Sequence, residues 1–128
     1  MDKLLAVEKY MEQRLVTDTS GHGIDHTQRV ARMAQKIAET LPEADLFIVQ
    51  AAALLHDTVD DKVVTDPIKA HDELKEFLQS IGVEADRLQH ILYIIDHLSF
   101  SKEIADGKQE LSIEGQIVQD ADRIDALG

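Results

Sequence analysis

The chain has 128 residues, 44% of them apolar, enough for one domain around one ordinary hydrophobic core. Its net charge of −12 and pI near 4.7 work against general affinity for nucleic acid polymers or anionic membranes, so a polyanionic ligand would need its own local cations. Cysteine is absent, which excludes disulfides and thiolate metal sites and suits a reducing cytoplasm. No stretch approaches the roughly 18 apolar residues of a membrane span, and Lys3, Glu8, Lys9, Glu12 and Arg14 break up the N-terminus in a way a signal peptide does not. A soluble protein is expected.

Two prolines, six glycines and apolar residues recurring every three or four positions predict an all-α domain of six helices. The first runs from about Asp2 to Val16 and ends in the polar stretch Asp18-Thr19-Ser20-Gly21-His22-Gly23. The second opens near Asp25, which has capping-box spacing to Gln28, and runs to about Leu41 before Pro42. A third, about Glu43 to His56, delivers His56-Asp57 from the apolar run Ala51-Ala52-Ala53-Leu54-Leu55 into the acidic loop Asp60-Asp61-Lys62. Asp66-Pro67 reads as an N-cap and first helical residue of a fourth helix that reaches about Ile81 and is closed by Gly82. The fifth covers about Ala85 to Leu98, and Ser112 caps a sixth that runs to the C-terminus.

A carboxylate carried on a buried apolar segment costs several kcal/mol or more without a partner, and a divalent cation held by His nitrogen and Asp oxygen removes that cost. His56-Asp57 therefore reads as half of a metal site. On the second helix His26 falls within the stripe Val30, Met33, Ala34, Ile37 and Leu41. A lone inward histidine is more often a core residue bonded to a carbonyl; beside a second inward histidine and a carboxylate it becomes a ligand candidate. The remaining carboxylate falls in Asp120-Ala121-Asp122-Arg123-Ile124-Asp125. Periodicity alone places Asp120 with Ile113, Ile117, Ile124 and Leu127 and sends Asp122 to the far side, yet a helix packed on two sides can bury either.

In order and spacing, His26, His56-Asp57 and the late Asp122 resemble the H…HD…D signature of the HD-domain metal-dependent phosphohydrolases. The likeness covers nearly the whole chain. It rests on Gly21–Val30, Leu55–Lys62 and Gln119–Gly128, which are similar to a small bacterial branch of that superfamily. It implies an all-α HD domain over residues 1–128 with one divalent ion held by His26, His56, Asp57 and Asp122, Asp120 remaining in a supporting role. A ligand set of two His and two Asp suits Mn²⁺, Fe²⁺, Co²⁺, Ni²⁺, Zn²⁺ or Mg²⁺ without choosing among them, and it leaves positions open for water and a phosphate oxygen. Related proteins usually continue for several helices past the Asp-Ala-Asp-Arg segment, whereas this sequence stops at Gly128, so either it lacks a C-terminal helical portion or this ending is natural.

Asp60 and Asp61 follow the HD pair closely enough to reach the water or the leaving group. Acidic residues at this position act in proton transfer in several HD hydrolases, which implies a catalytic role for Asp60 first and Asp61 second; the competing reading is a solvated acidic loop. Arg29, at the edge of the inward stripe, and Lys62 and Arg123, adjacent to site segments, are the local cations for a phosphate. His22 fits a substrate-side role. His71 and His90 are expected on polar surfaces, and His97, near Ser99-Phe100, is within reach of the pocket. The expected ligand is a small phosphorylated metabolite, most plausibly a nucleotide, with a homodimer compatible with this reading. The alternatives are a non-catalytic metal- or nucleotide-binding module and an oxygenase; the latter needs extra histidine ligands, which the helical placement of His90 and His97 argues against.

Overall fold

The structure is a computed structural model that describes residues 2–16, 23–60, 63–99 and 111–127. Among these residues there are six α-helices and no strand: α1 (Lys3–Leu15), α2 (Ile24–Glu39), α3 (Leu46–Leu55), α4 (Pro67–Ser80), α5 (Ala85–Ser99) and α6 (Ile113–Leu127), with a 3₁₀ turn, His56–Val59, continuing α3. The fold is all-α, as expected.

Most helix ends are chemically marked. The Asp2 carboxylate accepts from the Leu4 N–H at 2.9 Å to open α1. Asp66 does the same for Lys69 at the start of α4, with Pro67 following it. Gly82, at φ 85°, closes α4 because the Val83 N–H reaches the Leu78 carbonyl (3.1 Å) and the Gly82 N–H reaches Gln79 (3.1 Å), a pairing that requires a left-handed residue between them. Ser112 caps α6 by accepting from the Gly115 N–H at 3.2 Å.

Two starts differ from expectation. Gly23 is the N-cap of α2, which places Asp25 inside the first turn, and no side-chain capping bond forms there. The third helix starts at Leu46 rather than Glu43, because the Asp45 carboxylate takes the N–H groups of Phe47 (3.1 Å) and Ile48 (3.3 Å).

Helix α3 is apolar on all sides, and it occupies the centre, packed against α1, α2, α5 and α6. Its residues Ile48, Val49 and Ala51 to Leu55 are all buried. Around it the apolar stripes close the core: Val7, Tyr10, Met11 and Leu15 from α1, Leu74 and Leu78 from α4, Ile91, Ile94 and Ile95 from α5, and Ile117, Val118 and Ala121 from α6. Burying each large aliphatic side chain contributes about 1.5–3 kcal/mol. The C-terminal end of α3 is thus held from several sides before any polar group of the site is considered.

Candidate metal centre

The site begins where α3 changes geometry. After Leu55 the chain tightens into the 3₁₀ turn, and three bonds hold it: His56 Nδ1 to the Ala53 carbonyl (2.8 Å), Thr58 Oγ1 to the Leu55 carbonyl (2.7 Å) and the Asp60 N–H to the Asp57 carbonyl (3.3 Å). Since the Ala53 oxygen can only accept, His56 donates from Nδ1, which in the neutral ring leaves the lone pair at Nε2 for a ligand. The turn packs against α4 and α5 and buries His56, Asp57, Thr58 and Val59.

Helices α2 and α6 pack against each other and bring the other half. His26 Nε2 lies 3.1 Å from Asp122 Oδ1 and 3.8 Å from Asp57 Oδ2, while His56 Nε2 lies 3.5 Å from Asp122 Oδ1 and 3.3 Å from Asp57 Oδ1. His26, His56 and Asp122 each present one donor atom within 4.8 Å of the other two. Two ligand atoms about 2.1 Å from a common ion and roughly 90–110° apart lie about 3.0–3.4 Å from each other. Two of the four spacings, 3.1 and 3.3 Å, fall in that range and the other two, 3.5 and 3.8 Å, lie above it, so the donor set fits a divalent metal after a small inward adjustment.

Exposure is graded across the cluster. The side chain of Asp57 is 3% exposed and that of His56 7%, against 16% for His26 and 39% for Asp122, so the group is closed at its base and open at the α6 rim, where water and a ligand would enter. Burial alone would lower the pKa of His56, but the carboxylates of Asp57 and Asp122 and the Ala53 carbonyl outweigh it and raise the value to about 9. Asp122 is held below the usual carboxylate range by its hydrogen bond to His56, against the effect of its own burial. Proton and metal compete for the same imidazole nitrogens.

Asp122, not Asp120, joins the histidines; Asp120 is exposed. The apolar stripe read from α6 is rotated from the real one: Glu114, Ile117, Val118 and Ala121 are buried while Ile124 is 45% exposed, because α6 packs against both α2 and α3. Asp125 entered the sequence reading only as the last residue of the segment that holds Asp120 and Asp122. Its Oδ2 sits 2.6 Å from His26 Nδ1, and it accepts from Arg29 Nε at 2.8 Å and Nη2 at 3.2 Å. The signal was the three-residue step from Asp122, which puts both on one helical face.

Asp60 closes the 3₁₀ turn, and its carbonyl accepts from the N–H groups of Val63 (2.9 Å) and Val64 (3.0 Å). Asp61, Lys62 and His22 lie outside the described residues. Arg123 is exposed. His71 and His90 are less superficial than expected. His71 Nε2 approaches Asp96 Oδ1 at 3.1 Å across α4 and α5, and burial, partly offset by His71, raises the pKa of Asp96. His90 Nε2 bonds Ser112 Oγ at 2.7 Å, and the partly buried His97 sits 6.2 Å from the Tyr93 ring. The His71–Asp96 and His90–Ser112 pairings join residues of different elements, which a single-helix projection does not show, whereas Tyr93 and His97 lie one turn apart on α5.

The HD domain family model matches residues 23–127. The chain is 38% identical over 122 residues to Bacillus subtilis YpgQ, covering 95% of this chain and 59% of that protein. Solved structures are similar as well, among them the following three. A Lactobacillus plantarum protein has a TM-score of 0.85 at 48% identity, covering 96% of this chain and 56% of its own. Bacillus subtilis YpgQ in complex with ADP has 0.74 at 35%, covering 96% and 57%. An HD-superfamily hydrolase from Bacillus thuringiensis has 0.76 at 33%, covering 98% and 58%. The chain therefore spans somewhat over half the length of these relatives. With the histidine and aspartate cluster assembled from α2, α3, its 3₁₀ extension and α6, and with the family match spanning all of them, this chain belongs to the HD-domain family.

Proposed function

We propose that this chain is an HD domain of a metal-dependent phosphohydrolase that acts on a nucleotide, with His26, His56, Asp57 and Asp122 holding one divalent ion. The observation that carries the reading is the convergence of His26 Nε2, His56 Nε2 and Asp122 Oδ1 within 4.8 Å of one another above the buried Asp57. The donor set, two imidazoles with carboxylates, accepts Mn²⁺, Fe²⁺, Co²⁺, Ni²⁺, Zn²⁺ or Mg²⁺. Such an ion lowers the pKa of a bound water from 15.7 to about 7 in favourable cases and polarises a phosphoryl oxygen.

The residues of the chain have separable tasks in this reading. His56 and His26 present Nε2 because Ala53 and Asp125 occupy their Nδ1 atoms. The walls of α3, α4 and α5 keep bulk water from the Asp57 side. Asp60, one residue past the turn, is the first candidate to take or return a proton at the attacking water or the leaving oxygen, and Asp61 is the second. Lys62 and His22 are the proposed phosphate-side contacts, joined by Arg29 only through what Asp125 leaves of its guanidinium. The ADP bound to YpgQ supports a nucleotide as the ligand class. The absence of cysteine and of any membrane-crossing helix among the described residues is consistent with a cytoplasmic site of action, the whole chain being taken as one domain.

A second reading, a nucleotide-binding HD module without turnover, is favoured by the same ADP complex, since it records binding. Release of phosphate or pyrophosphate from a nucleotide panel separates the two, with metal-free protein supplied with Mn²⁺, Co²⁺, Ni²⁺ or Mg²⁺ and Asp57→Ala as control. Metal-dependent turnover that vanishes in the control supports the hydrolase. Metal binding without turnover on any nucleotide supports the module.

A further inference from the structure

His26 is claimed at both ring nitrogens by α6. Its Nε2 faces Asp122 at 3.1 Å and its Nδ1 meets Asp125 at 2.6 Å, so one imidazole bridges two carboxylates a helical turn apart. The two contacts are not equivalent. Asp125 also receives a forked pair of bonds from Arg29, Nε to Oδ1 at 2.8 Å and Nη2 to Oδ2 at 3.2 Å, which no described donor repeats for Asp122. Arg29 stands three residues after His26 on α2, just as Asp125 stands three after Asp122 on α6. The four residues form two rungs between the helices.

We propose that Asp125, clamped by Arg29, is a positioning residue for the metal centre: it fixes His26 with Nδ1–H toward α6 and Nε2 toward Asp57 and Asp122. The inference rests on the metal-binding reading above. Three physical steps carry it. A neutral imidazole has two tautomers, and a carboxylate oxygen on Nδ1 selects the one whose free lone pair is at Nε2. A carboxylate behind a ligating histidine also raises its basicity and locks its ring, and such partners matter to metal affinity nearly as much as the ligands. Finally, the planar guanidinium satisfies both Asp125 oxygens at once, which a point-charge lysine cannot do, and so keeps Asp125 from rotating toward the cluster as a rival of Asp122. Arg29, which the sequence offered as a phosphate contact, in this arrangement serves the ligand set.

The test is Mn²⁺ titration of the metal-free chain, read by electron paramagnetic resonance, on wild type, Asp125→Asn, Arg29→Lys, Arg29→Gln and Asp120→Ala, each checked for wild-type helicity. Asp125→Asn is expected to weaken binding by about 10–100-fold. Arg29→Gln should act in the same direction by less, Arg29→Lys by less again, and the exposed Asp120→Ala not at all. Combining Arg29→Gln with Asp125→Asn should add nothing to Asp125→Asn alone, because both break one unit. Wild-type affinity in Asp125→Asn overturns the proposal. A second readout does not depend on metal: long-range ¹⁵N–¹H NMR of His26 with the ring neutral. The wild-type proton is expected on Nδ1, moving toward Nε2 in Asp125→Ala; an unchanged tautomer also overturns it. If the wild-type chain binds no Mn²⁺, the metal-centre reading fails, and the NMR result alone decides whether Asp125 positions His26.

Discussion

Helices α3 and α6 run side by side with a polar cluster at each end, and the two clusters are built from the same kinds of side chain. At the N-terminal end are Asp45, Arg87, His90, Ser112 and Glu114. The Asp45 carboxylate caps α3 and is met by Arg87 at 3.1 Å, its N–H donates to the buried Glu114 at 2.8 Å, and Ser112 accepts from Gly115 and bonds His90. Glu114 Oε1 lies 3.6 Å from His90 Nε2. At this end carboxylates meet backbone N–H groups, a guanidinium and a hydroxyl: the cluster is a pair of helix caps tied together. At the C-terminal end Asp57 and Asp122 meet the Nε2 atoms of two imidazoles, which a proton bridges in the metal-free chain and a cation could bridge in its place. A carboxylate facing backbone donors is a structural joint; one facing two convergent imidazole nitrogens is a candidate cation site.

That contrast can be broken experimentally. The largest effect is expected from Asp57→Ala, which should abolish detectable Mn²⁺ binding and any metal-dependent turnover; calorimetric titration that still shows wild-type affinity would place the metal elsewhere. Next comes pH. The His56 value, raised to about 9 in the folded metal-free chain from 6.5, contributes stability that is fully present below pH 6.5 and is lost as pH rises through 9. The loss should reach up to about 3 kcal/mol, visible as a falling thermal midpoint between pH 6.5 and 9. Asp122, whose pKa is lowered, adds the opposite trend in acid, its stabilisation being lost as pH falls below the usual carboxylate range. Saturating Mn²⁺ should flatten the alkaline fall, since metal binding favours the neutral imidazole. A midpoint flat from pH 6.5 to 9 without metal would contradict the geometry around His56.

The other end should respond in stability alone. Glu114→Ala leaves the Asp45 N–H without its acceptor, for a cost of about 1–3 kcal/mol in denaturant unfolding, with Mn²⁺ affinity unchanged. Ser112→Ala removes the α6 cap and should cost about 1 kcal/mol, again without altering metal affinity. A shift in affinity from either variant would mean that the two ends are coupled through α6 rather than independent.

Much of this molecule is legible in its residues one helix at a time. The caps at Asp2, Asp66-Pro67, Gly82 and Ser112 act within a few residues of themselves, and the inward stripe of α2 that carries His26 follows from the 3.6-residue period. The apolar run before His56-Asp57 announced a buried polar pair because desolvation costs the same wherever the segment packs. The end of α3 was harder: nothing local distinguishes a further α turn from the 3₁₀ turn, which His56 and Thr58 secure through bonds to the carbonyls of Ala53 and Leu55.

What the residues could not decide was pairing between helices. Projection of α6 alone favoured Asp120 because it assumed one buried stripe, whereas contact with both α2 and α3 turns Ala121 and Val118 inward, exposes Asp120 and sets Asp122 beside His26 and His56. Asp125 acquires its place only when α2 brings His26 and Arg29 across, and His71 meets Asp96 only when α4 folds back on α5. Composition, period and capping chemistry thus determined the helices, since those forces act along the chain, while the resemblance to the HD family was carried by the His26, His56-Asp57 and Asp122 segments. The tertiary packing alone selected which carboxylate meets which imidazole, because such pairs depend on separations of 2.6 to 3.8 Å between residues up to 99 positions apart.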